Sequence, residues 1–338
     1  MKKILTYILS ALVLCSCDMD LTPKNTVTDD DLMGSSKGMA IYMARLYSFM
    51  PFEDFKYMAA WGFNFNGWLG TLGIDGCGEA MNRDDVFRTF RSEDNPCWSS
   101  AFVLIHDANH LLEELPEHKS HFTDAEFNFF MGQGYFVRAY VFYQMARRFG
   151  GIPLVTSTIA YPNESSALEV PRASEEQTWD QICDDFDMAI SLLPQTTLLS
   201  GLPNKYAALA FKAEAMLYAG SVAKYNETVS GRLTGLGSKT GVRVIGFDSG
   251  SYKQAYTRYF SESYKAAREV MKSGAYSLYK KKWVAGDKDA MYQNMVDMFS
   301  DLTSPENIFV KEYQYPSLTH GLDAYSSPFI FRDPLCSF

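Results

Sequence analysis

A mainly α-helical fold is predicted by three features of the sequence. Two S/T-x-x-E/Q capping boxes, Thr123 to Glu126 and Ser174 to Gln177, open long runs of helical period. Stops follow those runs at Gly150-Gly151-Ile152-Pro153, at Leu193-Pro194 and, further on, at Gly274. Alanine-rich "KYAALAFKAEAMLYAGSVAKY" begins just after Asn204, a good N-cap, and its small residues at close spacing predict tight helix–helix contact.

The elements follow in order. Residues 29–50 fit one amphipathic helix with Leu32, Met39, Ile41, Met43, Ala44 and Tyr47 inward. "WGFNFNGWLGTLGIDGCGEAMNR" then breaks all periodicity. A helix from Trp98 to Leu115 comes next, followed by the helix that Thr123 opens and Gly150 ends with a left-handed cap. Ser174 opens a third, Asn204 a fourth, and Ser251 with Gln254 a fifth ending at Gly274, after a glycine-rich stretch over 228–250. Trp98 and Trp179 fall at helical spacing to apolar neighbours and are expected in the core. The tail "ENIFVKEYQYPSLTHGLDAYSSPFIF" reads as strand and then irregular chain. Helices of this length joined by turns predict stacked antiparallel pairs, although no strict repeat period is present.

The N-terminus has a different logic. Lys2-Lys3 precedes an apolar run, Ile4 to Leu14, that is too short to span a bilayer but suits a secretory signal. Leu14-Cys15-Ser16 directly before Cys17 resembles the bacterial lipobox, in which the cysteine is acylated and becomes residue one of the mature protein. The expected organisation is therefore a signal peptide over 1–16, an extended lipid-anchored tether over 17–28 and a helical body over 29–338. Each buried CH₂ contributes about 0.8 kcal/mol, so two or more acyl chains anchor firmly.

The chain has 338 residues and a net charge of −9, lower by two once Lys2 and Lys3 leave with the signal. An acidic chain without a basic run argues against a nucleic-acid partner. Four of the six cysteines, Cys77, Cys97, Cys183 and Cys336, remain in the mature body. They are too few for a disulfide framework, though a Cys77–Cys97 bridge is compatible with the spacing.

Most candidate chemistry dissolves on inspection. His106 and His110 sit four apart in "HDANH", but Asp107 stands where a zinc protease needs the longer glutamate; solvated histidines are the better reading. "GLGSKTG" has Ser238, not Gly, before Lys239 and is read as a surface loop rather than a phosphate cradle. Asp84-Asp85 and Glu113-Glu114 are sequence neighbours, whereas a glycosidase faces two carboxylates about 5 to 9.5 Å apart across a sugar. Arg138, inside an apolar helical run, must find an ion pair, with Glu214 the expected partner. No cofactor fingerprint, metal-ligand set or nucleophile–histidine pair stands out.

"W-x-x-x-F-x-x-I-x-x-A-N" over Trp98 to Asn109, "GYFVRAYVFYQMARRFGGIPLV" over Gly134 to Val155 and "VPRASEEQTWDQICDDFDMAISLLP" over Val170 to Pro194 resemble the SusD/RagB outer-membrane lipoproteins of Bacteroidota. "KYAALAFKAEAMLYAG" and "CDMDLTPKNTVT" are similar to them too. The resemblance implies a scaffold of tetratricopeptide-like helix pairs with an irregular, loop-rich ligand-binding face. It also implies surface display in the outer membrane beside a SusC-type TonB-dependent transporter that imports glycans. Family members continue past this point with a further helix pair, so the chain is expected to be C-terminally truncated. Asn109 falls where the family has a structural asparagine.

Sugars present apolar C–H faces and hydroxyl rims, so a glycan site needs flat aromatics with amides and charges around them. Trp61 and Trp68, off any helical face and interleaved with Asn64, Asn66, Asp75, Asn82 and Arg83, supply both. The resemblance implies further binding loops after the helix pairs, which here hold Tyr313, Tyr315, Tyr325 and Phe329. The leading expectation is a non-catalytic glycan-capture lipoprotein. The alternatives are a surface-anchored glycoside hydrolase and a helical scaffold without its own ligand.

Overall fold

The computed structural model describes residues 28–50, 57–58, 62–63, 97–159, 169–197, 201–226, 228, 235–248 and 250–311. Helix α1 (Asp29–Met33) and α2 (Ser36–Phe49) precede a two-stranded antiparallel pair, β1 (Tyr57–Met58) and β2 (Gly62–Phe63). Then come α3 (Cys97–Glu114), a 3₁₀ segment (Leu115–His121), α4 (Asp124–Phe149), α5 (Glu175–Leu192), α6 (Lys205–Tyr225), α7 (Tyr252–Ser273) and α8 (Lys288–Ser300). From α3 to α7 each helix packs on the one before, giving the mainly α, tetratricopeptide-like stack that the sequence predicts.

Local chemistry sets most boundaries. The Thr123 and Ser174 hydroxyls accept from the N3 amides while Glu126 and Gln177 reach back, so both capping boxes form. Asn204 accepts from Ala207 N at 2.9 Å and starts α6. Gly274 closes α7 at φ 67°, ψ 6°, the left-handed cap expected of it. Gly150 also has positive φ (70°), but its ψ of −128° takes it out of the left-handed helical region. Here the chain must turn under Val244, whose carbonyl oxygen lies 2.4 Å from where a Cβ would stand.

Three expectations need correction, and one helix comes in addition. Residues 29–50 form two helices, because Gly34 ends α1 and the Ser35 hydroxyl accepts from Gly38 N to start α2 anew. The buried stripe of α2 accordingly runs through Met39, Tyr42, Met43, Leu46 and Met50, and Ile41 and Ala44 are exposed. Ser251 does not cap α7 with its side chain; its backbone is helical and its hydroxyl donates to Glu176 of α5 at 2.8 Å. Helix α8, capped by Asp287, was unforeseen. The expected strand is absent over 306–311, where the chain runs in turns and seats Phe309 edge-on to Phe136 and Phe211.

The core lies between α3, α4, α5 and α6. Trp179, Tyr143, Phe136, Phe142 and Phe186 are fully buried. Trp98 is only partly buried, edge-on to Phe149 at 4.9 Å. On α6 the buried alanines 208, 215, 219 and 223 form the expected close-contact face. Gly220, beside them, lets the Phe260 ring of α7 come within 2.6 Å of its missing Cβ.

Candidate functional site

The residues that follow α4 are held unusually firmly for a loop. Arg138 of α4, almost buried, donates two bonds to Asp185 of α5, at 2.8 and 2.7 Å, and not to Glu214 as expected. Glu214 instead accepts from Tyr143. The spare edge of the guanidinium donates to Asn109 Oδ1 (2.8 Å) and to the Thr156 carbonyl (3.1 Å). Asn109, fully buried on α3, turns its amide to the carbonyls of Val155 and Ser157. Glu113 takes both the amide and the hydroxyl of Thr158. Three helices therefore grip 155–158 through one polar network, the structural role foreseen for Asn109. Burial pushes the Asp185 carboxyl up, and the forked guanidinium opposes that shift.

The next connection is held by a second buried carboxylate. Glu175 accepts from Gly246 N and from Trp179 Nε1, and Arg172 caps the carbonyls of Phe149 and Gly151. Burial raises the Glu175 carboxyl above its ordinary range. Asn226 completes the grip with a reciprocal pair to Phe247 N and O. Within this stretch Lys239 pairs with Glu169 on the surface, the loop reading made from the sequence.

One cluster has the composition of a metal site. Cys183, Asp187 and Glu262 bring their ligand atoms within 4.8 Å of one another. The Lys212 ammonium already occupies the position between the carboxylates, at 2.7 and 2.8 Å from Asp187 and 2.9 Å from Glu262. Burial opposes the charge of Lys212, yet the two carboxylates win and raise it. The Cys183 thiol is pushed up to about 12 by burial, so it offers no thiolate. The cluster is a clamp joining α5, α6 and α7, and the donor set does not fit a cation.

The histidine pair is also structural. His106 and His110 stack with ring centres 6.5 Å apart, and His110 meets Asp29 of α1 at 3.0 Å. His118 adds a contact to Asp30 at 3.6 Å.

Every residue chosen for ligand binding lies outside the described residues: Trp61, Asn64, Asn66, Trp68, Asp75, Asn82, Arg83, Tyr313, Tyr315 and Tyr325. So do Cys17, Cys77 and Phe329. The β1–β2 pair, with Tyr57 opposite Phe63 and Met58 opposite Gly62, brackets Trp61 in sequence.

A protein-family model described as "Starch-binding associating with outer membrane" matches residues 79–217. SusD-like protein P2 of Formosa agariphila is 26% identical over 239 residues, which are 67% of this chain and 45% of that protein. SusD-like protein P38 of the same organism is 30% identical over 122 residues, 36% of this chain and 22% of that one. A SusD-like protein of Bacteroides fragilis superposes with a TM-score of 0.54 at 18% identity, covering 86% of this chain and 47% of the other. A SusD-like carbohydrate binding protein from that organism gives 0.54 at 15%, with 84% and 47% covered. The chain thus spans about half the length, or less, of the relatives that it matches.

Proposed function

Because the chain belongs to the SusD-like family, we propose that it is a non-catalytic glycan-binding lipoprotein of the outer membrane. In this reading Cys17 carries the acyl anchor and the body is displayed at the cell surface. It captures an oligosaccharide and passes it to a SusC-type TonB-dependent transporter. The observation that carries the reading is the family match over 79–217, which runs through the helices that build the polar network. A scaffold whose connections are gripped by buried carboxylates and amides is suited to presenting a preformed surface, which lowers the ordering cost of binding.

Trp61 and Trp68, with Asn64, Asn66, Asp75, Asn82 and Arg83, form one part of the proposed ligand surface, and Tyr313, Tyr315 and Tyr325 another. An aromatic contact contributes about 0.5–1.5 kcal/mol beyond its buried area. Several such contacts with hydroxyl hydrogen bonds give about −4 to −8 kcal/mol, a millimolar to micromolar affinity. Weak holding suits a protein that hands its cargo on. A glycan-array screen of the soluble body starting after Cys17 tests the reading, paired with a reducing-end assay of each ligand. Binding without new reducing ends is the expected result. Silence across the array removes the glycan, and new reducing ends make the protein a hydrolase.

A further inference from the structure

Between α7 and α8 the chain makes an excursion, 274–287, that contains the sequence Lys280-Lys281-Lys282-Trp283-Val284. Trp283 is 44% exposed and has no ring partner among the described residues. A single exposed aromatic needs no explanation by itself; its setting decides what it can do. This loop is not loose. Asn294 of α8, 5% exposed, spends its whole amide on it, accepting from Lys282 N at 3.0 Å and donating to the Tyr279 carbonyl at 2.9 Å. Glu306 accepts from Tyr279 N at 2.7 Å, and Ser277 N donates to Pro305 O. Lys281 and Lys282 are tied to Asp301 and Asp297 on the same side of α8. The chain before the indole is therefore fixed by a buried amide, two ion pairs and backbone bonds, and after it Asp287 N donates to the Val284 carbonyl at 3.2 Å.

Charge sets this excursion apart from the rest of the molecule. Residues 280–288 hold four lysines against one aspartate, in a chain whose net charge is −9. With Lys281 and Lys282 paired, Lys280 and Lys288 remain exposed with no acidic partner among the described residues. An exposed indole on a tied-down segment, with an unpaired lysine three residues before it and another five after it in the chain, offers the groups that a sugar ring carrying a carboxylate needs. The indole takes the C–H face, and lysine meets the acid as a flexible point charge. A neutral sugar would leave both ammonium groups unused.

Resting on the glycan-binding reading, we propose that Trp283, with Lys280 and Lys288, is a binding platform for an acidic, uronate-containing oligosaccharide. The probes are a galacturonate hexasaccharide and neutral maltohexaose, titrated calorimetrically against the full chain and its variants. The parent is expected to prefer galacturonate, and the preference should fade as salt is raised. Trp283→Ala should raise the galacturonate Kd at least about tenfold with an unchanged circular dichroism spectrum. Lys280→Gln with Lys288→Gln, both exposed, should remove the acid preference while leaving any maltohexaose binding intact. Equal binding of the two probes by the parent overturns the acidic class. Undiminished galacturonate binding by Trp283→Ala overturns the platform. If galacturonate is silent while the array reports another glycan, this inference fails and the glycan-binding reading stands; a silent array fails both.

Discussion

Arg138 shows how a single side chain can organise several elements. Its guanidinium joins α4 to α5 through Asp185, to α3 through Asn109 and to the following loop through Thr156. Arg138→Ala leaves the Asp185 carboxylate buried without its counter-ion, so a loss of about 3–5 kcal/mol is expected in urea unfolding. Asp185→Asn leaves the buried guanidinium without its counter-ion and should cost a comparable amount. The need for a partner was legible in the sequence, since a cation in an apolar helical run cannot stay bare. Which partner was not: Glu214 and Asp185 are both helical carboxylates, and only the packing of α4 on α5 selects between them. Glu262 makes a second residue-scale case. Its carboxyl is held below the ordinary range by bonds from Lys265 and Lys212. A depressed carboxylate stabilises the fold above its unfolded pKa, and that contribution is lost as pH falls through the folded value. Stability should therefore decline on acidification below about pH 4.5. The decline should be shallower in Glu262→Gln, as thermal unfolding across pH 3–6 would reveal.

At the level of elements, caps and stops were the most legible features because each is a local contract between side chain and backbone. Thr123, Ser174, Asn204 and Gly274 all act as their spelling predicts. Ser251 failed because a competing acceptor, Glu176, lies on a helix distant in sequence. Helix α8 carries apolar residues at helical period, Tyr292, Met295, Val296 and Phe299, behind an Asp287 cap, so the signal for it is present in the sequence. The α6–α7 seam yields a prediction of its own. Phe260 lies over Gly220 with no room for a methyl group, so Gly220→Ala should push the ring aside and cost about 1–3 kcal/mol. Phe260→Leu in the same background should restore part of that loss, which separates crowding from altered helix propensity.

At the scale of the whole molecule, α8 is inverted relative to its neighbours. Its polar side, Asn294 and Asp297, and Asp301 just after it, face the preceding segment 279–282, and Tyr292, Met295, Val296, Phe299 and Leu302 face solvent at 71, 56, 40, 81 and 81% exposure. So large an apolar stripe promotes association. Sedimentation of the soluble body is expected to show concentration-dependent assembly, and Phe299→Ser with Leu302→Ser should shift it toward monomer while leaving the helical spectrum unchanged. A parent that stays monomeric at high concentration would count against this.

The way α1 is attached has a mechanical consequence. Met33 is buried and Leu32 packs against the core, further ties are side-chain pairs to His110 and His118, and a break at Gly34-Ser35 separates α1 from α2. With the anchor proposed at Cys17, shear flow on the body would load this short helix first. Residues 28–35, fully peeled away, would span about 26–29 Å at about 3.3–3.6 Å per residue, extending the tether before the helical stack unfolds. In an optical-trap extension from the N-terminus, α1 should yield as a small early step at low load, sparing the stack like a sacrificial link in a chain.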